Sequence, residues 1–230
     1  TIAGTGGNGA IVHYRATKKK TKIINKNDIF LCDSGGQYKF GTTDVTRTIS
    51  FNPPQKRIKN IFTKVLKGHI AVATSDLASL KFGKLIDIRA RKYLKKDGLD
   101  YAHGTGHGVG FFLNVHEGPQ SISKYNSVKI EEGMILSNEP GFYQKHKFGI
   151  RLENLVLVKK VTDHPNESFL SFETLTSVPF QRSMLDISIL DKKEKIWLNS
   201  YHKSILDKIG PILSSNELKW LTRQCAPITI

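Results

Sequence analysis

Residues 28–51 read DIFLCDSGGQYKFGTTDVTRTISF. The run from Asp28 to Asp33 is apolar and closes on Ser34-Gly35-Gly36, which is turn chemistry. After a second turn signal, Gly41-Thr42-Thr43, the stretch from Asp44 to Phe51 is rich in β-branched residues and alternates. Such side chains suit a pleated, half-buried surface, so two strands are expected. Each carries an aspartate where a core would be apolar: Asp33 ends the first strand and Asp44 begins the second. If the strands pair as a hairpin, the two carboxylates come close together. Either aspartate alone reads as an ordinary turn or cap residue.

Working outward, Ala10 to Tyr14 predicts a short strand containing His13. Pro53-Pro54 stops the sheet, and Ile58, Ile61, Phe62, Val65 and Ile70 then recur at helical spacing, predicting a helix from Gln55 to about Ala73. Lys84 to Lys96 repeats the pattern through Leu85, Ile88 and Leu94, with Gly98 as its stop. A Gly- and His-rich loop spans Tyr101 to Gln120. Strands are expected at Met134 to Asn138, Gly149 to Val161 and Ser168 to Val178. The tail reads as helices over Asp191 to Ile209 and Ser215 to Gln224, with Trp197, Tyr201, Ile205 and Trp220 as packing residues. Antiparallel-looking strands mixed with long helices point to an α+β fold.

Gly4-Thr5-Gly6-Gly7-Asn8-Gly9 satisfies G-x-G-x-x-G in form. A dinucleotide fingerprint must follow a strand and open a helix. Here no strand is expected before it and the strand-like AIVHY follows, so nucleotide binding is not expected.

The chain has 230 residues, 39% hydrophobic and 24% charged, which excludes a disordered or collagen-like polymer. The length suggests one large domain with a small appendage. Neither an apolar run of membrane-spanning length nor a signal-peptide pattern is present, and the start, TIAGTGGNGA, has no initiator Met. The chain therefore reads as the later part of a longer polypeptide. Two distant cysteines, Cys32 and Cys225, fit a reducing cytoplasm better than a disulfide scaffold. The 35 Lys and Arg against 20 Asp and Glu leave +15, in scattered clusters such as Lys18 to Lys20 without interleaved aromatics. That is a solvated surface with non-specific attraction for anions; no specific nucleic-acid partner and no membrane partner are expected.

Further acidic residues occupy positions that a core would make apolar. Glu139 lies in SNEPG directly after MIL, and Arg151 and Glu153 share one face of GIRLENLVLV by period-two alternation. Four carboxylates converging in a sheet interior would be desolvated and mutually repulsive. Divalent cations relieve that more completely than protons do, and four negative charges match two such ions. An imidazole from HGTGHGVG would join them. His103 and His107 are four apart, but the glycines between them argue against a helical zinc pair. One His with four carboxylates is an oxygen-dominated set that suits manganese, and less decisively cobalt, iron or zinc. His116 in NVHEGP and His13 can line the same cleft, whereas His69, His146, His164 and His202 read as satisfied core residues.

Four stretches, LCDSGGQYKFGTTDVTRTISF, AHGTGHGVGFFLNVHEGPQSIS, GMILSNEPGFY and FGIRLENLVLV, closely resemble the Xaa-Pro aminopeptidase (aminopeptidase P) family. These are pita-bread metallopeptidases, as are methionine aminopeptidase and prolidase. GTGHGVGFFLNVHEGP and the helical tail resemble the long, three-domain form more than prolidase. The resemblance implies a pita-bread (creatinase/aminopeptidase-like) fold, incomplete at its N-terminus, with a core over 1–180 and a packed helical extension over 181–230. It implies that Asp33 chelates one metal, that Asp44 and Glu153 bridge two, and that His107 and Glu139 complete the second site. His103 and His116 would contact the substrate and its transition state, His13 would line the substrate cleft, and Arg151 would support the metal-binding carboxylates. Glu139 would shuttle the proton. The implied substrates are peptides with proline at the second position, cut by a cytoplasmic enzyme that is a homodimer in its full-length form. Because the family carries further elements ahead of TIAGTGGNGA, weak or no activity is expected of this chain alone. Two alternatives remain: a prolidase-type Xaa-Pro dipeptidase, and a non-catalytic pita-bread module that binds protein or nucleic acid.

Overall fold

The β-branched alternation of residues 28–51 produces a long hairpin. In the computed structural model, which describes residues 1–19, 21–161 and 169–230, β1 (Ile2–Thr5) pairs antiparallel with β2 (Ile29–Tyr38), and β2 pairs with β3 (Gly41–Ser50). Lys20, His164 and Ser168 lie outside the described residues. Both expected turn signals, Ser34-Gly35-Gly36 and Gly41-Thr42-Thr43, are strand instead, and the chain reverses at Lys39 and Phe40. Two adjacent glycines tolerate extended backbone, and ten continuous cross-strand partners outweigh their turn preference.

Ala10 to Tyr14 is not a strand. A 3-10 turn covers Gly6–Ala10 and His13 sits in the turn that follows. The pairing edge of β2 that this segment would need is already taken by β1. A strand therefore does precede the Gly-rich motif, contrary to expectation, but the five-residue 3-10 segment after it offers no α-helix N-terminus for a phosphate.

After Pro53-Pro54, α1 (Lys56–Ala73) buries Ile61, Phe62, Val65, Leu66, Ile70 and Val72 on successive turns. Next, α2 (Gly83–Lys95) ends just ahead of Gly98, whose φ of +69° suits its place as the stop. Inside the Gly- and His-rich segment expected to be loop, the short strand β4 (Gly106–His107) pairs with β5 (Ser121–Ile122), which lies just past its end. Then come β6 (Ile135–Asn138), β7 (Gly141–Gln144), β8 (Phe148–Arg151), β9 (Asn154–Lys160) and β10 (Leu170–Thr174). The single strand expected over Gly149 to Val161 is thus two. β8 pairs with β7, whereas β9 pairs with β6 and β10, and the chain changes partners at Leu152 and Glu153. At that break Leu152 N donates to Pro140 O and Glu153 N to Thr46 O, so hydrogen bonds outside the ladder replace the missing pairing.

Two helices close the chain, α3 (Lys192–Ile209) and α4 (Ser215–Gln224). Asp191 caps α3: its carboxylate accepts from Glu194 N at 2.9 Å while Glu194 accepts from Asp191 N. One core cluster joins α1 to β7, β8 and the closing helices through Phe62, Leu66, Phe148, Ile150, Leu198 and Ile205. A second joins α1 and α2 to β6, β9 and β10 through Val72, Ile86, Leu136, Val156 and Phe172. Of the histidines expected in the core, His69 and His202 are buried, but His146 is exposed in the turn between β7 and β8 with φ of +62°. Among the described residues no helix is long and apolar enough to cross a membrane.

Candidate metal centre

Asp33 pairs with Thr46, and Asp44 with Gly35. The two aspartates are therefore diagonal neighbours, two residues out of register on the same face of the hairpin. Glu139 follows directly on β6 and is anchored by Glu139 N donating to Thr105 O at 2.7 Å. His107 lies on β4, its backbone N–H donating to Ser137 Oγ at 2.9 Å. Glu153 occupies the break between β8 and β9. Five side chains from separate segments thus meet at one cavity of about 430 Å³, which Asp33, Asp44, His107, Glu139 and Glu153 all line. His13, His116 and Arg151 line it too; His103 does not.

One donor atom each from Asp44, His107 and Glu153 lies within 4.8 Å of the others. His107 Nε2 is 3.7 Å from Asp44 Oδ2 and 3.3 Å from Glu139 Oε1. His107 Nδ1 faces Gly108 O at 3.0 Å, so that nitrogen carries the ring proton and Nε2 turns a bare lone pair to the carboxylates. Burial drives the His107 pKa down to about 4, keeping the ring neutral. An imidazole lone pair facing carboxylate oxygens at these distances is a donor set for a cation.

The carboxylates respond in the opposite direction. Burial, reinforced by the charge of Asp33, pushes Asp44 up to about 7. Glu139 rises to about 8 through burial and the repulsion of Asp44, against the pull of Arg151. Glu153 is held well above the carboxylate range by burial and by its neighbours Glu139 and Asp44. A bound divalent ion would invert the shifts of the carboxylates and reinforce that of His107, since it favours ionised carboxylates and neutral imidazole. The residues present fit two such ions.

Arg151 is almost wholly buried among them. Its Nη2 donates to Asp33 Oδ2 at 2.5 Å, Nη1 to the Tyr143 hydroxyl at 2.8 Å and Nε to Thr46 Oγ1 at 3.1 Å. Thr46 in turn donates to Glu153 Oε2 at 2.7 Å. His103 reaches the centre through this chain. Its Nδ1 faces Gly104 O at 2.7 Å, leaving Nε2 to accept from Tyr143 at 2.8 Å, and burial depresses its pKa to about 4. His116 packs edge-on against His107, with ring centroids 4.0 Å apart. Sequence reasoning missed Thr46, Ser137 and Tyr143. Thr46 was within reach, because period two from Asp44 puts it on the same face; Tyr143, four residues past Glu139 on another strand, had no such signal.

The family model described as metallopeptidase family M24 matches residues 1–160, and one described as the C-terminal region of peptidase M24 matches 168–228. A probable Xaa-Pro aminopeptidase P of Laccaria bicolor is 48% identical over 236 residues, which cover 99% of this chain and 37% of that protein. Aminopeptidase P2 of Arabidopsis thaliana is 48% identical over 235 residues, covering 99% of this chain and 33% of its own length. The chain therefore spans about a third of the length of these relatives. Among solved structures, the X-prolyl aminopeptidase of Caenorhabditis elegans, described as a cytosolic enzyme with a di-nuclear active site, superposes with a TM-score of 0.93 at 40% identity, covering 99% of this chain and 38% of that one. Prolidase from Pyrococcus furiosus superposes with a TM-score of 0.64 at 30% identity, over 75% of this chain and 48% of its own.

Proposed function

The chain belongs to metallopeptidase family M24 and has its pita-bread fold, and from that premise we propose that it forms the dinuclear centre of an aminopeptidase removing an N-terminal residue that precedes proline. The observation that carries this reading is the convergence of Asp33, Asp44, His107, Glu139 and Glu153 on one cavity, with the His107 lone pair turned into it. We read Asp33 as a ligand of one metal, Asp44 and Glu153 as bridges, and His107 and Glu139 as completing the second site. The oxygen-rich set favours manganese, with cobalt, iron or zinc as alternatives.

The bond before proline has no N–H on its nitrogen and a ring that fixes the backbone, so a protease that reads that N–H fails on it. Two bound divalent ions would supply an activated water and polarise the scissile carbonyl. The carboxylate-rich wall receives the substrate's free amino terminus, which makes the cut an exopeptidase cut. Glu139 carries the proton from the attacking water to the leaving proline nitrogen. His116, on the cavity wall, opposes the negative charge that develops, and one well-placed donor of this kind is worth about 3–4 kcal/mol; His103 accepts from Tyr143 and so holds the hydroxyl on which Arg151 Nη1 rests. His13 lines the peptide cleft, and Arg151 holds Asp33 and Thr46 in place. Residues 1–180 form the catalytic core and 181–230 its packed extension. We place the protein in the cytoplasm, as a homodimer.

A prolidase is the nearest rival. The match to the aminopeptidase over 99% of the chain, closing helices included, against 75% for the prolidase, favours the aminopeptidase. Two measurements test the reading: metal content by elemental analysis, and turnover of an Xaa-Pro-Xaa tripeptide beside an Xaa-Pro dipeptide. Two ions per chain are expected, with turnover falling on the tripeptide. Cleavage of dipeptides alone would make it a prolidase, and a metal-free protein would leave a binding module.

A further inference from the structure

On the face of β3 turned away from the metal cavity lies a cation that the proposed chemistry does not use. Arg47 is buried, and all five of its N–H groups are engaged by carbonyl, amide and hydroxyl oxygens rather than by carboxylates. Its Nε donates to Pro179 O at 3.2 Å, and its Nη2 to Asn154 Oδ1 at 2.7 Å, Val178 O at 2.6 Å and the Tyr201 hydroxyl at 3.1 Å. The guanidinium lies over the ring of Phe180, 4.2 Å from its centroid. Burying a cation with no carboxylate hydrogen-bonded to it is costly, so a fold that does so gains little stability from it. What it gains is geometry.

The remaining nitrogen shows which geometry. Arg47 Nη1 donates to Thr46 O at 2.9 Å and to Glu153 O at 2.6 Å. This is the place where β8 has ended and β9 has not begun, so no ladder holds the Glu153 peptide. Thr46 grips the Glu153 carboxylate from the cavity side and Arg47 grips its carbonyl from behind. The same network reaches α1. Asn154 Nδ2 faces His69 Nε2 at 3.2 Å, His69 Nδ1 faces Leu152 O at 3.1 Å, and His69 O accepts from Asn138 Nδ2 at 2.9 Å. Both neighbours of Glu153 and the residue before Glu139 are thereby tied to one buried scaffold. At the far end Tyr201, on α3, joins the scaffold by its hydroxyl and stacks on Trp197.

We propose that Arg47 is a positioning residue for Glu153 and that, through Tyr201, helix α3 sets the geometry of the metal centre. This rests on the metal reading above and adds to it that the closing helix α3 acts on a site it does not touch.

The test titrates Mn²⁺ by calorimetry and records the visible spectrum of the Co²⁺-loaded protein for wild type, Tyr201→Phe, Arg47→Lys and Leu198→Ala. Leu198 is buried on the same helix and in the same core but is apolar, so its truncation serves as the purely structural control. Outer-sphere partners of a metal site typically change affinity by about 10–100-fold. Binding of the second equivalent should weaken about 3–10-fold in Tyr201→Phe and about 10–100-fold in Arg47→Lys, with altered Co²⁺ bands in both. Leu198→Ala should lower the melting temperature of the metal-free protein and leave affinity and spectrum unchanged. If Arg47→Lys does not fold, Tyr201→Phe, which loses one hydroxyl, decides alone. Unchanged affinity and spectrum in Tyr201→Phe, or an equal change in Leu198→Ala, would overturn the proposal. Wild type taking up two ions in that case would leave the metal reading standing; wild type taking up none would remove both.

Discussion

Replacing Asp44 by Asn should make the metal-free protein more stable at pH 8 while destroying its response to metal. Asp44 is pushed from the ordinary 3.8 up to about 7 by burial and by the charge of Asp33. A folded-state pKa above the unfolded one means that the folded chain holds the extra proton between these values. Stability is then lost as pH rises from about 4 to about 7, and the penalty is complete above that. Three units at about 1.4 kcal/mol each bound the penalty near 4 kcal/mol, and relaxation around the coupled carboxylates reduces it to about 2–4 kcal/mol. Asparagine keeps the shape and removes the charge. For a chain of this size the gain corresponds to roughly 5–15 °C in melting temperature. Calorimetric melts in EDTA at pH 5.5 and pH 8 measure it; the difference between variant and wild type cancels groups remote from the site, while Glu139 and Glu153, relieved of the Asp44 charge, add to the gain. Saturating Mn²⁺ should then raise the wild-type melting temperature and leave Asp44→Asn nearly unmoved. An asparagine variant that melts below wild type in EDTA at pH 8, or that gains as much from Mn²⁺, would refute the account of the site as a cluster of carboxylates awaiting cations.

Further outcomes concern the frame around the site. A Cβ added at Gly106 would lie 1.9 Å from Ser137 O, so Gly106→Ala must displace the backbone that carries His107. It should cost about 1–3 kcal/mol of stability and about tenfold or more in Mn²⁺ affinity, read by melting and titration calorimetry. The buried rings of His69 and His202 are held neutral, at about 3 and about 4, chiefly by burial. Their folded pKa values lie below the unfolded one, so the stability they contribute is present above about pH 6.5 and is lost as pH falls toward 4. His202→Gln, which keeps an acceptor for Phe180 N–H, should flatten that acid limb in pH-dependent urea melts. Asp191→Ala, by removing the cap of α3, should cost about 1 kcal/mol, visible as a shift of melting temperature by a few degrees.

Much of this architecture was legible along the chain. Apolar residues at helical spacing marked α1 and α3, because a helix that buries one face must repeat its pattern every turn; α2 and α4 exist as expected, but Ile88 and Trp220, read as part of their packing pattern, are exposed, and α2 buries Ile86, Ala90 and Leu94 instead. The acidic residues of the centre stood out for a local reason as well: a carboxylate directly after or within an apolar strand needs an explanation, and Asp33, Asp44, Glu139 and Glu153 all stand that way. Local pattern failed where pairing partners decide the outcome. Gly35-Gly36 became strand because β3 runs alongside, Ala10 to Tyr14 was left out of the sheet because β1 had taken its place, and Gly149 to Val161 broke in two because its halves pair with different strands.

Residue types and their order therefore determined which groups could hold a metal, since charge, burial tendency and strand period are properties of short stretches. The tertiary structure alone decided how those groups meet: that Glu153 sits in a gap between two ladders, that the lone pair of His107 faces the carboxylates, and that Arg47 binds from behind. Thr46 and Arg47 meet Glu153 across more than a hundred residues and His107 meets Asp44 and Glu139 across 63 and 32, and contacts at such separation exist only once the whole chain has closed on itself.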